Sequence, residues 1–189
     1  MATPSDHPFE AAFVELFQTL NSLPCPYCLL GALALGAWGT PRTTQDLDVL
    51  VAIDAGDRAR LIERLGARGF VQDTGWAEAT PMIRDQHIRL YREAIPVDVM
   101  VPRDTHDHEC LTRRRQYTVS EVSLWVISPE DLVVHKLKAG RAQDFIDVLS
   151  VLQRQGKNLD HGYITQWAKR LGIWEEWNYC AGQAAEPPA

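Results

Sequence analysis

The stretch Gly31–Val51, GALALGAWGTPRTTQDLDVLV, decides how this chain is read. Gly31 to Trp38, rich in Ala and Leu, suits a helix lying against a sheet, ended by Gly39 and Pro41. Leu47–Val51 then reads as a strand. Successive strand side chains alternate faces, so Leu47, Val49 and Val51 share one face while Asp46 and Asp48 share the other. Two carboxylates side by side raise each other's pKa unless something cationic sits between them. A hard divalent ion such as Mg²⁺ (or Mn²⁺) meets that need, because it takes oxygen ligands and keeps waters that a phosphate can displace.

Working outward, Ile88–Tyr91 and Val97–Val101 read as a hairpin around Glu93–Pro96. Val97, Val99 and Val101 face one way and Asp98 the other, with no cation two residues away on its own strand. If this strand lies beside Leu47–Val51, three carboxylates converge on one ion site.

The rest of the chain supplies helices. Pro8–Leu20 carries apolar residues at helical spacing, and Cys28–Leu30 reads as a short buried strand. Ala55–Ala67 is a helix with a Leu61, Ile62, Leu65 stripe. Residues 72–86 read as loop. A short helix near 106–115 precedes a strand at Val119–Ile127. Ser128, Pro129 and Asp131 form a helix start that runs to Ala139, with Gly140 as its stop. Phe145–Leu152 and Tyr163–Leu171 are further helices. The expected organisation is a mixed α/β (α+β) core over residues 8–127, flanked by helices, with a helical section at 128–178 packed on it and a mobile tail at 179–189.

These residues resemble the polymerase-β-like nucleotidyltransferases, in the bacterial branch of AbiEii-type abortive-infection toxins. That family's motif is a hydrophobic residue, Gly, then Gly or Ser, a spacer, and an acid-hydrophobic-acid strand. Here it is Leu30-Gly31-Ala32, thirteen residues, then Asp46-Leu47-Asp48. Arg42 and Thr44 match the R-x-T-x-D-x-D form of the branch, and Asp98 matches its third acid. Ser128–Leu132 through KLKAGRAQDFIDVLSVL resembles its helical section. The resemblance implies a small mixed-sheet nucleotidyltransferase core and metal-dependent transfer of a nucleoside monophosphate from an NTP to an acceptor hydroxyl. It implies Asp46, Asp48 and Asp98 as catalytic metal ligands, and Gly31, Ala32, Arg42, Thr44, Lys136 and Asp144 as nucleotide-binding. The acceptor stays open among tRNA or other RNA, protein and a small molecule. A toxin role would bring a cognate antitoxin. Ala32 departs from the motif: it offers no hydroxyl to a phosphate, although backbone N–H donors at the helix start remain. The competing reading is a catalytically silent relative that binds a nucleotide or a partner.

Lys136 falls in the middle of the apolar stripe Leu132, Val133, Leu137 and Ala139, while Lys138 faces away. It either snorkels to water or reaches the β- and γ-phosphates, the role the resemblance favours. Arg42 either reaches a phosphate or pairs with Asp46 or Asp54. The Cys25-Pro-Tyr-Cys28 motif imitates a glutaredoxin site, but a helix precedes it and Cys28 begins a strand, so no helix start lowers a thiol pKa. His106, His108 and Cys110 lack a fourth ligand at zinc spacing. Arg113, Arg114 and Arg115, adjacent on an expected helix, read either as a solvated surface or as a phosphate track for an RNA acceptor.

The chain has 189 residues, 46% apolar and 23% charged, which excludes a disordered polymer. Its longest run of apolar residues and Gly, Cys28–Trp38, is too short for a membrane span. With 19 basic against 25 acidic side chains the net charge is −6, so no global field draws in nucleic acid. The expected location is cytoplasmic, with the four cysteines reduced.

Overall fold

The computed structural model describes residues 7–185. Its elements, in chain order, are α1 (Pro8–Asn21), β1 (Tyr27–Leu29), α2 (Gly31–Trp38), β2 (Leu47–Val51), α3 (Ala55–Gly66), β3 (Val71–Gln72), α4 (Thr74–Ala79), β4 (His87–Arg92), β5 (Ile95–Met100) and α5 (Thr105–Arg113). They continue with β6 (Arg115–Val119), β7 (Val122–Val126), α6 (Pro129–Ala139), α7 (Ala142–Gln155), α8 (His161–Leu171) and α9 (Trp174–Ala185). The chain forms two compact units, residues 1–31 with 44–126 and residues 32–43 with 127–189.

The first unit holds a seven-stranded mixed sheet in the order β3-β4-β5-β2-β1-β7-β6. Leu47, Val49 and Val51 are fully buried, as the alternation demands, and Leu50 is buried on the opposite face. A strand covered on both sides sits centrally, and β2 lies between β5 and β1. It runs parallel to β5, with Leu47 opposite Val97, Asp48 opposite Asp98 and Val49 opposite Val99. Hairpin β4–β5 turns on Glu93 and Ala94, fixing Arg92 opposite Ile95 and Arg89 opposite Asp98. Leu16, Phe17 and Leu20 of α1 and Leu61 and Leu65 of α3 complete this unit's core. Asp54 caps α3 by accepting from the Asp57 N–H at 2.8 Å.

Several expectations are corrected. Val119–Ile127 is not one strand: β6 and β7 form a hairpin about Ser120 and Glu121, both at positive φ (47° and 64°). That is the backbone of a type I′ turn, usually signalled by Asn-Gly or Asp-Gly, and neither is present. The three arginines therefore do not share a helix: Arg113 ends α5, Arg114 follows it and Arg115 begins β6. The stretch 72–86 contains α4, capped by the Asp73 carboxylate on the Trp76 N–H.

The second unit joins residues 32–43 to the C-terminal helices. The Trp38 indole N–H donates to the Ile127 carbonyl at 2.7 Å. Gln155 donates to the Trp38 carbonyl, Arg154 to that of Gly39, and the Thr40 N–H to Ser150 Oγ. The sequence reading placed α2 against a sheet and left this partnership out. In α6, Ser128 accepts from the Asp131 N–H at 3.1 Å, and Gly140 stops the helix with φ 65°. Helix α9 was not expected. It carries the chain to Ala185, through the first residues of the expected tail; residues 186–189 lie outside the described residues. Among the described residues no helix is long and apolar enough to cross a membrane.

Candidate active site

Gly31 sits in the left-handed region at φ +64°, and a Cβ there would lie 2.0 Å from Asp48 Oδ2. Both facts demand glycine: the backbone conformation strains an L side chain, and the Asp48 carboxylate rests where one would go. The Leu30 N–H donates to the Asp48 carbonyl at 2.8 Å, tying the glycine segment to the acidic strand. Asp46, just before β2, accepts a hydrogen bond from the Thr44 hydroxyl. Asp48 and Asp98 face each other across parallel strands, so Gly31, Thr44, Asp46, Asp48 and Asp98 all belong to the first unit.

Asp98 is not waiting for a cation. Arg89 grips it with two of its nitrogens, Nε on Oδ1 and Nη2 on Oδ2, each at 2.8 Å, and His87 Nε2 lies 2.9 Å from Oδ1. Burial pushes this carboxyl up. The hydrogen bonds from His87 and Arg89, with their charges, outweigh burial and hold it at about 2 against an ordinary 3.8. Arg89 also lies over the Trp76 ring at 5.2 Å, and the His87 ring is 4.6 Å from Trp76. The donor chemistry suits a hard divalent cation, with three carboxylates and no soft ligand among them. The Gly31 Cα, bare of a side chain, makes room for the Asp48 carboxylate beside it. In kind, the carboxylate oxygens of Asp46 and Asp48 suit such an ion. Asp98 fits once Arg89 gives up at least one oxygen.

The second unit carries a separate charged network. Lys136, 4% exposed, neither snorkels nor stands open. Its ammonium donates to Asp144 Oδ1 at 3.0 Å and to Asp147 Oδ2 at 2.7 Å. Asp144 also accepts from Arg141 Nε at 2.7 Å and from the Arg141 backbone N–H. Arg42 pairs with Asp147 through Nε and Nη2 at 3.1 and 3.2 Å, not with Asp46 or Asp54, and Gln143 adds a bond at 3.0 Å. For both acids burial pushes the pKa up. Hydrogen bonds and charge reverse that and leave each lowered, led by Arg141 and Lys136 at Asp144 and by Lys136 at Asp147. Three cations meet two carboxylates, so the network carries an excess positive charge. Ala32, the second residue of α2, is buried in the same unit.

The other motifs settle as follows. Cys25 precedes β1 and Cys28 lies within it, both buried and outside any disulfide, and no helix begins at the CPYC segment. Burial, then Asp57, raises the Cys25 pKa, the reverse of what a reactive thiol needs. Asp104, His106 and Asp107 bring ligand atoms within 4.8 Å of one another. Their carboxylates are already engaged, however, Asp104 capping the Asp107 N–H and Asp107 accepting from the Arg103 N–H.

Comparison with solved structures supplies the fold's relatives. ANT(2'')-Ia, solved with adenylyl-2''-tobramycin, aligns with TM-score 0.55 at 10% identity, covering 93% of this chain and 99% of its own. An antigenic nucleotidyltransferase-like protein from Paracoccidioides brasiliensis aligns with TM-score 0.52 at 16% identity, over 93% and 94%. The lincosamide antibiotic adenylyltransferase LnuA, lincomycin-bound, gives 0.51 at 13%, over 75% and 95%. This chain has the nucleotidyltransferase fold. No family model matches the chain, and no curated protein does. Within the nucleotidyltransferase fold, sequence reasoning missed Arg89, His87 and Arg141, and gave Asp147 no role. Arg89 had a usable signal: a two-residue turn at Glu93-Ala94 places it opposite Asp98.

Proposed function

We propose that the protein is a metal-dependent nucleotidyltransferase that moves a nucleoside monophosphate from an NTP to an acceptor hydroxyl. The observation that carries this reading is the Gly31 cradle, with the Asp48 carboxylate on its Cα and Asp98 opposite Asp48 in register. Mg²⁺ or Mn²⁺ held by Asp46, Asp48 and Asp98 would neutralise the triphosphate oxygens and stabilise the charge that builds on them during transfer. Gly31, bare of a side chain beside Asp48, lets phosphate oxygens approach the backbone. Thr44 fixes the rotamer of Asp46 through its hydroxyl. Asp98 would serve as the third ligand from the neighbouring strand. Arg42, 36% exposed, keeps a guanidinium edge for a phosphate, while buried Lys136 and Asp144 act as scaffold for that arginine through Asp147.

Within the superfamily, the Arg42-x-Thr44-x-Asp46-x-Asp48 spacing and the Ser128–Leu152 helical section support the AbiEii-type branch. They support with it the role of a toxin held by a cognate antitoxin. A second reading, a silent relative that binds nucleotide without transferring it, is favoured by the occupied Asp98 and by Ala32. One assay separates the two. The protein is incubated with each α-labelled NTP, Mg²⁺ or Mn²⁺, and in turn total cell RNA, protein extract and antibiotics bearing free hydroxyls. Label should move to one acceptor class and fail to move in the Asp46→Asn, Asp48→Asn variant. Metal-dependent NTP binding without transfer to any acceptor would favour the silent relative.

A further inference from the structure

Asp98 is 7% exposed, whereas the Arg89 side chain that holds it is 29% exposed. The carboxylate is therefore largely shielded from water, and the guanidinium much less so. Two constraints aim Arg89. The β4–β5 register puts its Cα opposite that of Asp98, and Trp76 lies beneath the guanidinium, itself fixed by the Asp73 cap of α4. Asp48 stands on the other side of Asp98 on β2. Without a cation, a buried Asp98 beside Asp48 would carry an uncompensated charge next to a like one, which is costly.

We propose that Arg89 is a built-in counter-ion for Asp98: it fills the carboxylate when no divalent cation is bound and releases the carboxylate oxygens when one enters, staying over the Trp76 ring that already supports it. Metal binding is then an exchange of one cation for another at the same oxygens. The aromatic face keeps the displaced guanidinium favourably placed, and His87 stays beside Oδ1 as the second donor. Arg89 acts here through Asp98, as a positioning residue that sets the metal affinity of the site. The inference rests on reading Asp98 as a metal ligand.

The test uses the full chain and Mn²⁺ alone, titrated by calorimetry and electron paramagnetic resonance, with thermal melts in parallel. Arg89→Met keeps the stem and removes the charge. It should bind Mn²⁺ about tenfold more tightly or better, because a like charge has left the site. It should also melt lower than the parent without the ion and regain most of that loss with it. Asp48→Asn and Asp98→Asn should both bind Mn²⁺ more weakly. Equal or weaker binding by Arg89→Met, with Asp98→Asn still impaired, would overturn the counter-ion role and leave the metal reading intact. Parent-like Mn²⁺ affinity in both Asp variants would overturn the metal reading, and the inference with it. A measurement on the parent guards against a variant that fails to fold. Saturating Mg²⁺ should shift the Arg89 Nε–H resonance and speed its exchange with water. An unmoved signal at saturation would refute displacement.

Discussion

Lys136→Met tests the charged network of the second unit most directly. The ammonium lies within 3.0 Å of two carboxylates, and all three side chains are 5% exposed or less. Reading the chain as a sequence, with Lys136 on an apolar stripe, a neutral side chain there should cost nothing. The structure reverses the sign. Losing one partner of a buried ion pair typically costs about 3–5 kcal/mol, because the remaining charge stays buried. Two opposing features set where this case falls. Arg141 still holds Asp144 and Arg42 still holds Asp147, which moves the cost toward the lower end, about 3 kcal/mol. Protonation of one carboxylate sets a ceiling of about 4 kcal/mol at neutral pH. The pH dependence follows from the direction of the shifts. Both acids have folded pKa values below their ordinary 3.8, so the stability they lend is present above that value and lost as pH falls through the lowered ones. Removing Lys136 weakens the lowering. The gap between parent and variant should therefore be full at neutral pH and close as the pH drops below the ordinary carboxylate range. Urea unfolding across that range, with half-exposed Lys138→Met as control, measures it. A Lys136→Met variant within about 0.5 kcal/mol of the parent at neutral pH would refute the network as a stabilising element.

Gly31→Ala should cost about 1–2 kcal/mol from left-handed backbone strain alone, and should also push the Asp48 carboxylate aside and abolish Mg²⁺–NTP binding; calorimetry showing parent-like binding would contradict the cradle. Asp46→Asn with Asp48→Asn should remove metal-dependent NTP binding while thermal stability holds or rises, since like charges have been relieved; unchanged affinity would sink the site. Cys25→Ser should leave NTP binding intact, and a thiol reagent should label the native chain slowly and all four cysteines only after unfolding. Rapid native labelling of Cys25 would reopen a redox role for the CPYC segment.

The parts of the fold legible in the sequence are those where one local rule decides. Alternation in Leu47–Val51 exposed both the strand and the face its acids share, and Ser128-Pro129 marked the start of α6 because capping is chemically local. What escaped was set by residues distant along the chain or by backbone conformations that no side chain advertises. Ser120 and Glu121 adopt positive φ without glycine or asparagine, so a hairpin looked like one strand. Arg42 found its partner 105 residues away on α7, beyond the reach of any local spacing. Lys136 shows the boundary between the two cases. Helical periodicity correctly placed it among buried residues, and the rule that a buried lysine needs a partner was also correct. The partners lay one helix further on, in the Asp144 and Asp147 that open α7. The α6–Gly140–α7 connection folds them back onto the ammonium at Asp144 Oδ1 and Asp147 Oδ2. The carboxylate trio shows the opposite case. Its strands and register were readable, yet Asp98 proved to be matched already, because β4 supplies Arg89 from the neighbouring strand and not from two residues along its own. A cation search confined to one strand overlooks the cross-strand partner, and in a sheet that partner is the nearer one.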